Sequence, residues 1–163
     1  MGSGKSKTGE ALAKIFKLSF VDIDQLIENK IGSSISAYFE SKGEESFRKI
    51  ETEVLHSTKS LNNIIVATGG GTPCFNDNLD WMNKHGITVY LEANAGLLFH
   101  RLALSKAGRP LIESLNDVEL MEYISGSLAK RIPIYSKASI TNKASSLNVR
   151  ELAEKITAFQ KNT

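Results

Sequence analysis

Apolar positions recur along the chain in two rhythms, one near 3.6 residues and one of two. From Lys5 to Lys17 the apolar residues Leu12, Ile15 and Phe16 keep the spacing of one helix face. "LSFVDID" then reads as a short buried strand ending in two carboxylates. Ser33 and Ser34 are N-cap candidates for a helix through Phe39 to Ser41, and Gly43 breaks it. "EESFRKIETEVLHSTKSL" predicts the next helix, and "IIVAT" a strand that runs straight into "GGGTP". A helix over Asn78 to Lys84, the strand "ITVYLEA" and a helix over Leu97 to Leu104 follow. "SKAGRPLIESLND" is polar and contains Gly and Pro, which predicts a mobile loop. Asp117 to Lys130 reads as a helix, "ASIT" as a last short strand, and Val149 to Gln160 as a closing amphipathic helix.

Strands alternating with helices predict an α/β fold on a parallel sheet. Ligands bind such sheets at the carboxyl ends of the strands. Asp22 and Asp24 stand after one strand and Gly69 to Gly71 after the next.

Composition narrows the class. A chain of 163 residues is one domain by length, and 41% hydrophobic with 23% charged residues is ordinary for a globular protein. A net charge of +2 gives no reason to expect nucleic acid or a membrane as partner. The single cysteine, Cys74, excludes an internal disulfide and fits a reducing compartment. No apolar run approaches the roughly 18 residues of a membrane helix, and the start is rich in Gly, Ser and Lys rather than apolar. A cytoplasmic protein is the expectation. His56, His85 and His100 have no partner at metal-ligand spacing, so no metal is assigned to them.

Four features carry chemistry. "GSGKS", residues 2–6, is the end of a phosphate loop, in which backbone N–H groups and a helix N-terminus face a phosphate. Lys5 would reach the phosphates and Ser6 a magnesium ion; a flexible terminus has the same composition. "DID" puts Asp22 and Asp24 on one side of a strand, where one could hold Mg²⁺ through water and the other a substrate hydroxyl; a helix N-cap is the alternative. Three consecutive glycines point to backbone approach to a ligand, against a simple tight turn. Arg109 lies in the polar loop, where a mobile phosphate clamp would sit. Arg48 and Arg131 lie in helical patterns, where a solvated face is the competing reading.

Taken in order, "GSGKS", "FVDID", "GEESFRKIE", "VATGGG", "GRPLI" and "KRIPIY" resemble the shikimate kinases, small P-loop kinases, over nearly the whole chain. The resemblance implies a three-layer sandwich on five parallel strands, forming one domain over residues 1–163. It implies a substrate-binding helical section at about 24–52 and a lid at about 104–117. The implied reaction moves the γ-phosphoryl group of ATP to the 3-hydroxyl of shikimate, with Mg²⁺ required. By match to the family's motifs, Gly2, Ser3, Gly4, Lys5, Ser6 and Lys7 form the ATP loop, and Ser6 and Asp22 serve Mg²⁺. Asp24 is the candidate base on the shikimate hydroxyls. Arg48 and Arg131 hold the substrate carboxylate, with Gly70 and Gly71 offering backbone contact and Glu51 orienting Arg48. Arg109 closes on the phosphates, and Arg101 resembles the arginine that stacks on adenine. Phe39 and Phe47 could pack against the substrate ring. The implied protein is a cytoplasmic monomer acting on small molecules, with no nucleic acid and no membrane.

Two departures stand out. Lys7 replaces the family's usual threonine after Ser6. The family's first strand and the loop's first glycine have no counterpart here. That strand lies in the family between those matching "IIVAT" and "TVYLE". The expectation is that Met1 is an internal methionine and that roughly ten residues precede it, since a strand takes 5–6 residues; the alternative is a sheet with a gap or a borrowed strand. Three rival functions remain: another small-molecule P-loop kinase, a non-catalytic ATP- or shikimate-binding module of this fold, and, weakest, a nucleic-acid binder.

Overall fold

The computed structural model describes residues 2–104 and 110–162. Eight helices and four strands alternate among these residues. They run α1 Lys5–Phe16, β1 Ser19–Asp22, α2 Ile23–Ile31, α3 Ile35–Ser57, β2 Ile64–Ala67, α4 Asn78–His85, β3 Val89–Glu92, α5 Ala95–Ala103, α6 Pro110–Glu113, α7 Asp117–Tyr135, β4 Ile140–Lys143 and α8 Val149–Lys161.

Local chemistry sets the boundaries. The Asp22 side chain caps α2 by accepting from the Asp24 N–H, and Gly32 ends that helix in the left-handed region at φ 69°. Ser34 caps α3 through the Ala37 N–H. Gly43, at φ 76° and ψ 171°, interrupts α3 where the sequence predicts a break. Asn116 and Glu119 form a capping box at the head of α7, and Asn148 caps α8.

All pairing is parallel. β1 pairs with β2, Ser19 opposite Ile64 and Asp22 opposite Ala67. β3 pairs with β4, Val89 opposite Ile140 and Glu92 opposite Lys143. The four strands form two separate pairs rather than one sheet. A cleft of about 790 Å³ lies between them, walled by Leu12, Ile65, Val66, Val89, Leu91 and Ile156. It falls where the sequence resemblance places a further strand of the sheet. Ile64, Ile65, Val66 and Val89 are consequently only half-buried, although parallel strands covered on both faces are normally fully enclosed.

The core divides in the same way. One cluster joins Leu12, Leu91, Leu98, Leu102, Leu120, Ile124 and Leu152 around α1, β3, α5, α7 and α8. The other joins Ile23, Ile27, Phe47, Val54 and Leu55 between α2 and α3. β2 serves both: Ile65 packs on the first cluster and its neighbour Val66 on the second, as period-two alternation requires.

Four sequence expectations need correction. "LSFVDID" does not stay extended through Asp24: β1 stops at Asp22, and Asp24 lies in the first turn of α2, a helix the sequence reading did not separate. The two aspartates therefore do not share a strand face. The Asp22 cap bends the backbone into a helix one residue on. The polar segment 105–117 is not all loop, since Pro110 opens the short helix α6. α7 continues past Lys130 to Tyr135 and takes Pro133 into its last turn. The last strand is shifted from "ASIT" to Ile140–Lys143. No helix among the described residues is long and apolar enough to cross a membrane.

Candidate active site

The site assembles at the carboxyl ends of β1 and β2 and the N-terminus of α1. Gly4 caps α1 in the left-handed region, φ 94°, and Gly2 is left-handed as well, φ 73°. Only glycine adopts both without strain, so the loop before α1 is built to turn its amides outward. Thr8 Oγ1 donates to the Gly4 carbonyl at 2.9 Å and closes the first turn. Lys5 begins the helix, partly buried, while Ser6 and Lys7 are exposed. The Ser6 hydroxyl donates to Asp22 Oδ2 at 3.0 Å, so the two residues read as magnesium partners do meet. A hydroxyl beside a carboxylate is the hard oxygen pair that Mg²⁺ takes, and the residues fit that ion.

Asp24 is exposed in the first turn of α2, with Oδ1 3.1 Å from where a Cβ on Gly69 would stand. Its carboxyl lies above the usual carboxylate range. Desolvation of the carboxyl is the main cause, Asp22 adds to it, Lys5 opposes it, and Glu51 and Glu28 add the rest. A base with a raised affinity for its proton suits abstraction from a hydroxyl.

Arg48 is not on a solvated face. Its side chain is 14% exposed and pairs with the almost fully enclosed Glu51, Nη1 to Oε2 at 2.7 Å. On its outer side it meets Glu44 Oε1 at 2.9 Å. Phe39, Phe47 and Phe75 surround the guanidinium, Phe75 closest with its ring centroid 4.1 Å from Cζ. Glu51 Oε1 accepts from Thr72 Oγ1 at 2.6 Å, and Thr72 is completely buried. Asn78 Nδ2 donates to the Thr72 carbonyl at 2.9 Å. Asn76 Nδ2 donates to the Arg48 carbonyl at 3.3 Å, which ties the segment after the glycines back to α3.

The triple glycine has a partly different explanation from the expected one. A Cβ on Gly71 would sit 2.7 Å from Arg48 Nη1, and one on Gly69 would sit 2.9 Å from Thr72 Oγ1 and 3.1 Å from Asp24 Oδ1. At these two positions the backbone is approached by the protein's own functional side chains. Gly70 accepts a hydrogen bond from the Tyr135 hydroxyl. Burial pushes the Tyr135 phenol above its ordinary range, against the lowering influence of Arg131, so it remains a donor at neutral pH. Tyr135 follows Arg131 by one helical turn and interacts with it, which brings Arg131 to the glycine segment. Arg48 and Arg131 both act on Cys74, whose thiol burial nonetheless pushes up. A cavity of about 110 Å³ runs from Ser3 and Lys5 past Gly69 and Gly70 to Arg131.

Arg101 also converges on the loop. Its guanidinium donates to the carbonyls of Gly2 and Ser3, both at 3.0 Å. Arg109 lies outside the described residues. Trp81 is held between His56 and His85, with ring centroids 4.6 and 4.3 Å away, so these histidines have a packing role. Among the described residues no cluster of His, Cys, Asp and Glu could hold a metal. Thr72, Phe75 and Tyr135 are the site residues that sequence reasoning missed. "KRIPIY" did contain Tyr135, but nothing local marks its partner as Gly70, 65 positions away.

Known proteins of one family match this chain in sequence and in fold. The family model described as shikimate kinase matches residues 1–161. A shikimate kinase from Phocaeicola vulgatus is 40% identical over 162 residues, covering 99% of this chain and 93% of the relative. One from Parabacteroides distasonis is 45% identical over 141 residues, 86% of this chain and 82% of the relative. The crystal structure of shikimate kinase from Bacteroides thetaiotaomicron superimposes with a TM-score of 0.91 at 34% identity, over 99% of this chain and 94% of that one. That of Acinetobacter baumannii shikimate kinase in complex with shikimate gives 0.86 at 33% identity, over 99% and 89%.

Proposed function

Because the chain belongs to the shikimate kinase family, we propose that its clustered aspartate, arginines and phosphate loop perform that family's reaction with the residues named above. The enzyme is an ATP-dependent phosphotransferase that acts on shikimate and gives 3-phosphoshikimate. One observation carries the site assignment. The Arg48–Glu51 pair, Asp24 and the glycine segment crowd within contact of one another beside the loop at the head of α1. A shikimate carboxylate fits between Arg48 and Arg131, because a guanidinium grips a carboxylate with two parallel hydrogen bonds. Its ring hydroxyls then face Asp24.

In the reaction the substrate oxygen bonds to the γ-phosphorus, the bond to the bridging oxygen of ADP breaks, and Asp24 takes the hydroxyl proton. The loop amides and Lys5 hold the phosphates in line. Ser6, with Asp22 acting through water, would hold Mg²⁺, which neutralises phosphate charge when bound. Arg101 fixes the shape of the loop through the Gly2 and Ser3 carbonyls, beside the adenine contact its sequence match suggests. Residues 24–52 form the substrate section and 104–117 the lid; the lid role of Arg109 rests on the sequence resemblance alone. The reading describes a cytoplasmic, monomeric enzyme of small molecules, in keeping with the lone Cys74 and the net charge of +2.

The test is ADP release from Mg-ATP with and without shikimate. Saturable release that requires shikimate is expected. Shikimate binding without release would instead favour a non-catalytic module, and release with gluconate or a nucleotide in its place would favour another kinase.

A further inference from the structure

Glu51 is 1% exposed and both of its oxygens are used. Oε2 takes Arg48 at 2.7 Å and Oε1 takes the Thr72 hydroxyl at 2.6 Å. Thr72 Oγ1 is the hydrogen-bond donor that Oε1 has among the described residues. Arg48 cannot choose its own orientation, since its long side chain is held by Glu51 inside and Glu44 outside. Whatever fixes the Glu51 carboxylate plane therefore fixes the inner edge of the guanidinium. The Thr72 side chain is itself fixed. Its residue is fully buried, its N–H donates to the Gly69 carbonyl at 3.3 Å, and its carbonyl takes Asn78 Nδ2 at 2.9 Å.

We propose that Thr72 is a positioning residue for substrate recognition: its hydroxyl locks the buried Glu51 carboxylate, and Glu51 in turn presents Arg48 to the substrate carboxylate. The inference rests on the reading that Arg48 binds that carboxylate. Thr72 touches no reacting atom. Its contribution is the geometry of Arg48, set through Glu51. Valine at this position keeps the volume and leaves a carboxylate oxygen enclosed without a donor, which is the costly case for a polar group. The strained carboxylate turns toward Arg48 or toward entering water, and the bidentate grip is lost.

The experiment is steady-state kinetics of Thr72→Val and Thr72→Ser with shikimate and with shikimate methyl ester, whose carboxylate is masked. The wild type discriminates strongly between the two if Arg48 grips the carboxylate. Thr72→Val raises the KM for shikimate about tenfold, the equivalent of about 1.4 kcal/mol, with kcat and the KM for ATP nearly unchanged, and it narrows the discrimination. Thr72→Ser restores the hydroxyl and returns both to wild-type values. If Thr72→Val does not stay folded, Thr72→Ala carries the same comparison. Discrimination left intact in the folded Val or Ala variant, or lost equally in Ser, overturns the inference alone. A wild type that does not discriminate, together with Arg48→Ala that does not raise the KM for shikimate, overturns the underlying reading of Arg48 and the inference with it.

Discussion

Gly71→Ala isolates the fit between the glycine segment and Arg48. Gly71 has φ −84° and ψ −29°, a conformation open to any L-residue, so the substitution brings no backbone strain. It also keeps the backbone N–H. What it adds is one carbon 2.7 Å from Arg48 Nη1 and 2.9 Å from Nη2. Restoring ordinary contact at about 3.4 Å moves the guanidinium roughly 0.7 Å from a position now fixed by Phe75 and Glu51. The Glu44 contact is on an exposed carboxylate and matters little. The Glu51 contact is enclosed, and a hydrogen bond to a charged group contributes about 1.5–3 kcal/mol. A misplacement of about 1 Å can cost about a hundredfold in a positioned site, and this shift approaches that size. The expected result is a KM for shikimate raised roughly 10- to 100-fold, with the KM for ATP close to wild type. Coupled-assay kinetics with each substrate varied in turn measures both. An unchanged shikimate KM, or equal rises for both substrates, would refute the placement of Arg48 at the substrate carboxylate.

Two further predictions concern stability. Asp24 has a folded-state affinity for its proton above the ordinary carboxylate value, so the neutral form is the one the fold favours. Relative to an uncharged side chain, Asp24 costs nothing below the unfolded carboxylate range. Its cost develops as pH rises and is complete once pH passes the folded value. Asp24→Asn, measured without added magnesium, therefore has a higher Tm than wild type at pH 8, a gap that closes near pH 3, and loses phosphoryl transfer; a lower Tm at pH 8 would contradict the burial argument. Gly126 lies inside α7 with nothing within 4 Å of its missing Cβ. Gly126→Ala stabilises by about 0.5–1 kcal/mol, read as a Tm rise of about 1–4 °C with unchanged kinetics, and a fall in Tm would show that the helix face is covered.

What the sequence disclosed and what it hid divide along physical lines. Local chemistry was readable: a glycine-rich loop entering a helix at Lys5, the break at Gly43, and the alternation of strands and helices. The Asp24 error is instructive because the right residue was assigned to the wrong element. Period two continues through "VDID" on paper, but Asp22 captures the Asp24 amide and turns the chain first. The competition between a strand pattern and an Asx cap is decided by one hydrogen bond, which no apolar periodicity reports. Thr72 and Tyr135 were hidden for the opposite reason. Their partners, Glu51 and Gly70, lie 21 and 65 positions away, and only the fold brings them together. The triple glycine was read as a place where a ligand approaches the backbone, whereas at Gly69 and Gly71 the protein's own side chains come that close.

Side chains from both cores meet at the site. One core lies between α2 and α3, and the other among α1, β3, α5, α7 and α8, with the cleft between β2 and β3 separating the strand pairs. One polar link toward the half built on α2 and α3 lies at the site itself. Tyr135 of α7 holds the carbonyl of Gly70 beyond β2, while Arg101 of α5 holds the carbonyls of Gly2 and Ser3 within the half that contains α1. The carboxylate grip is divided too, with Arg48 on α3 in one half and Arg131 on α7 in the other. A substrate carboxylate held by both arginines would therefore add a link between the two clusters, beside the packing of α1 on β2 that already joins them. Small changes at the glycine segment, such as a methyl on Gly71 or the loss of the Thr72 hydroxyl, reach the chemistry without first disturbing either hydrophobic cluster.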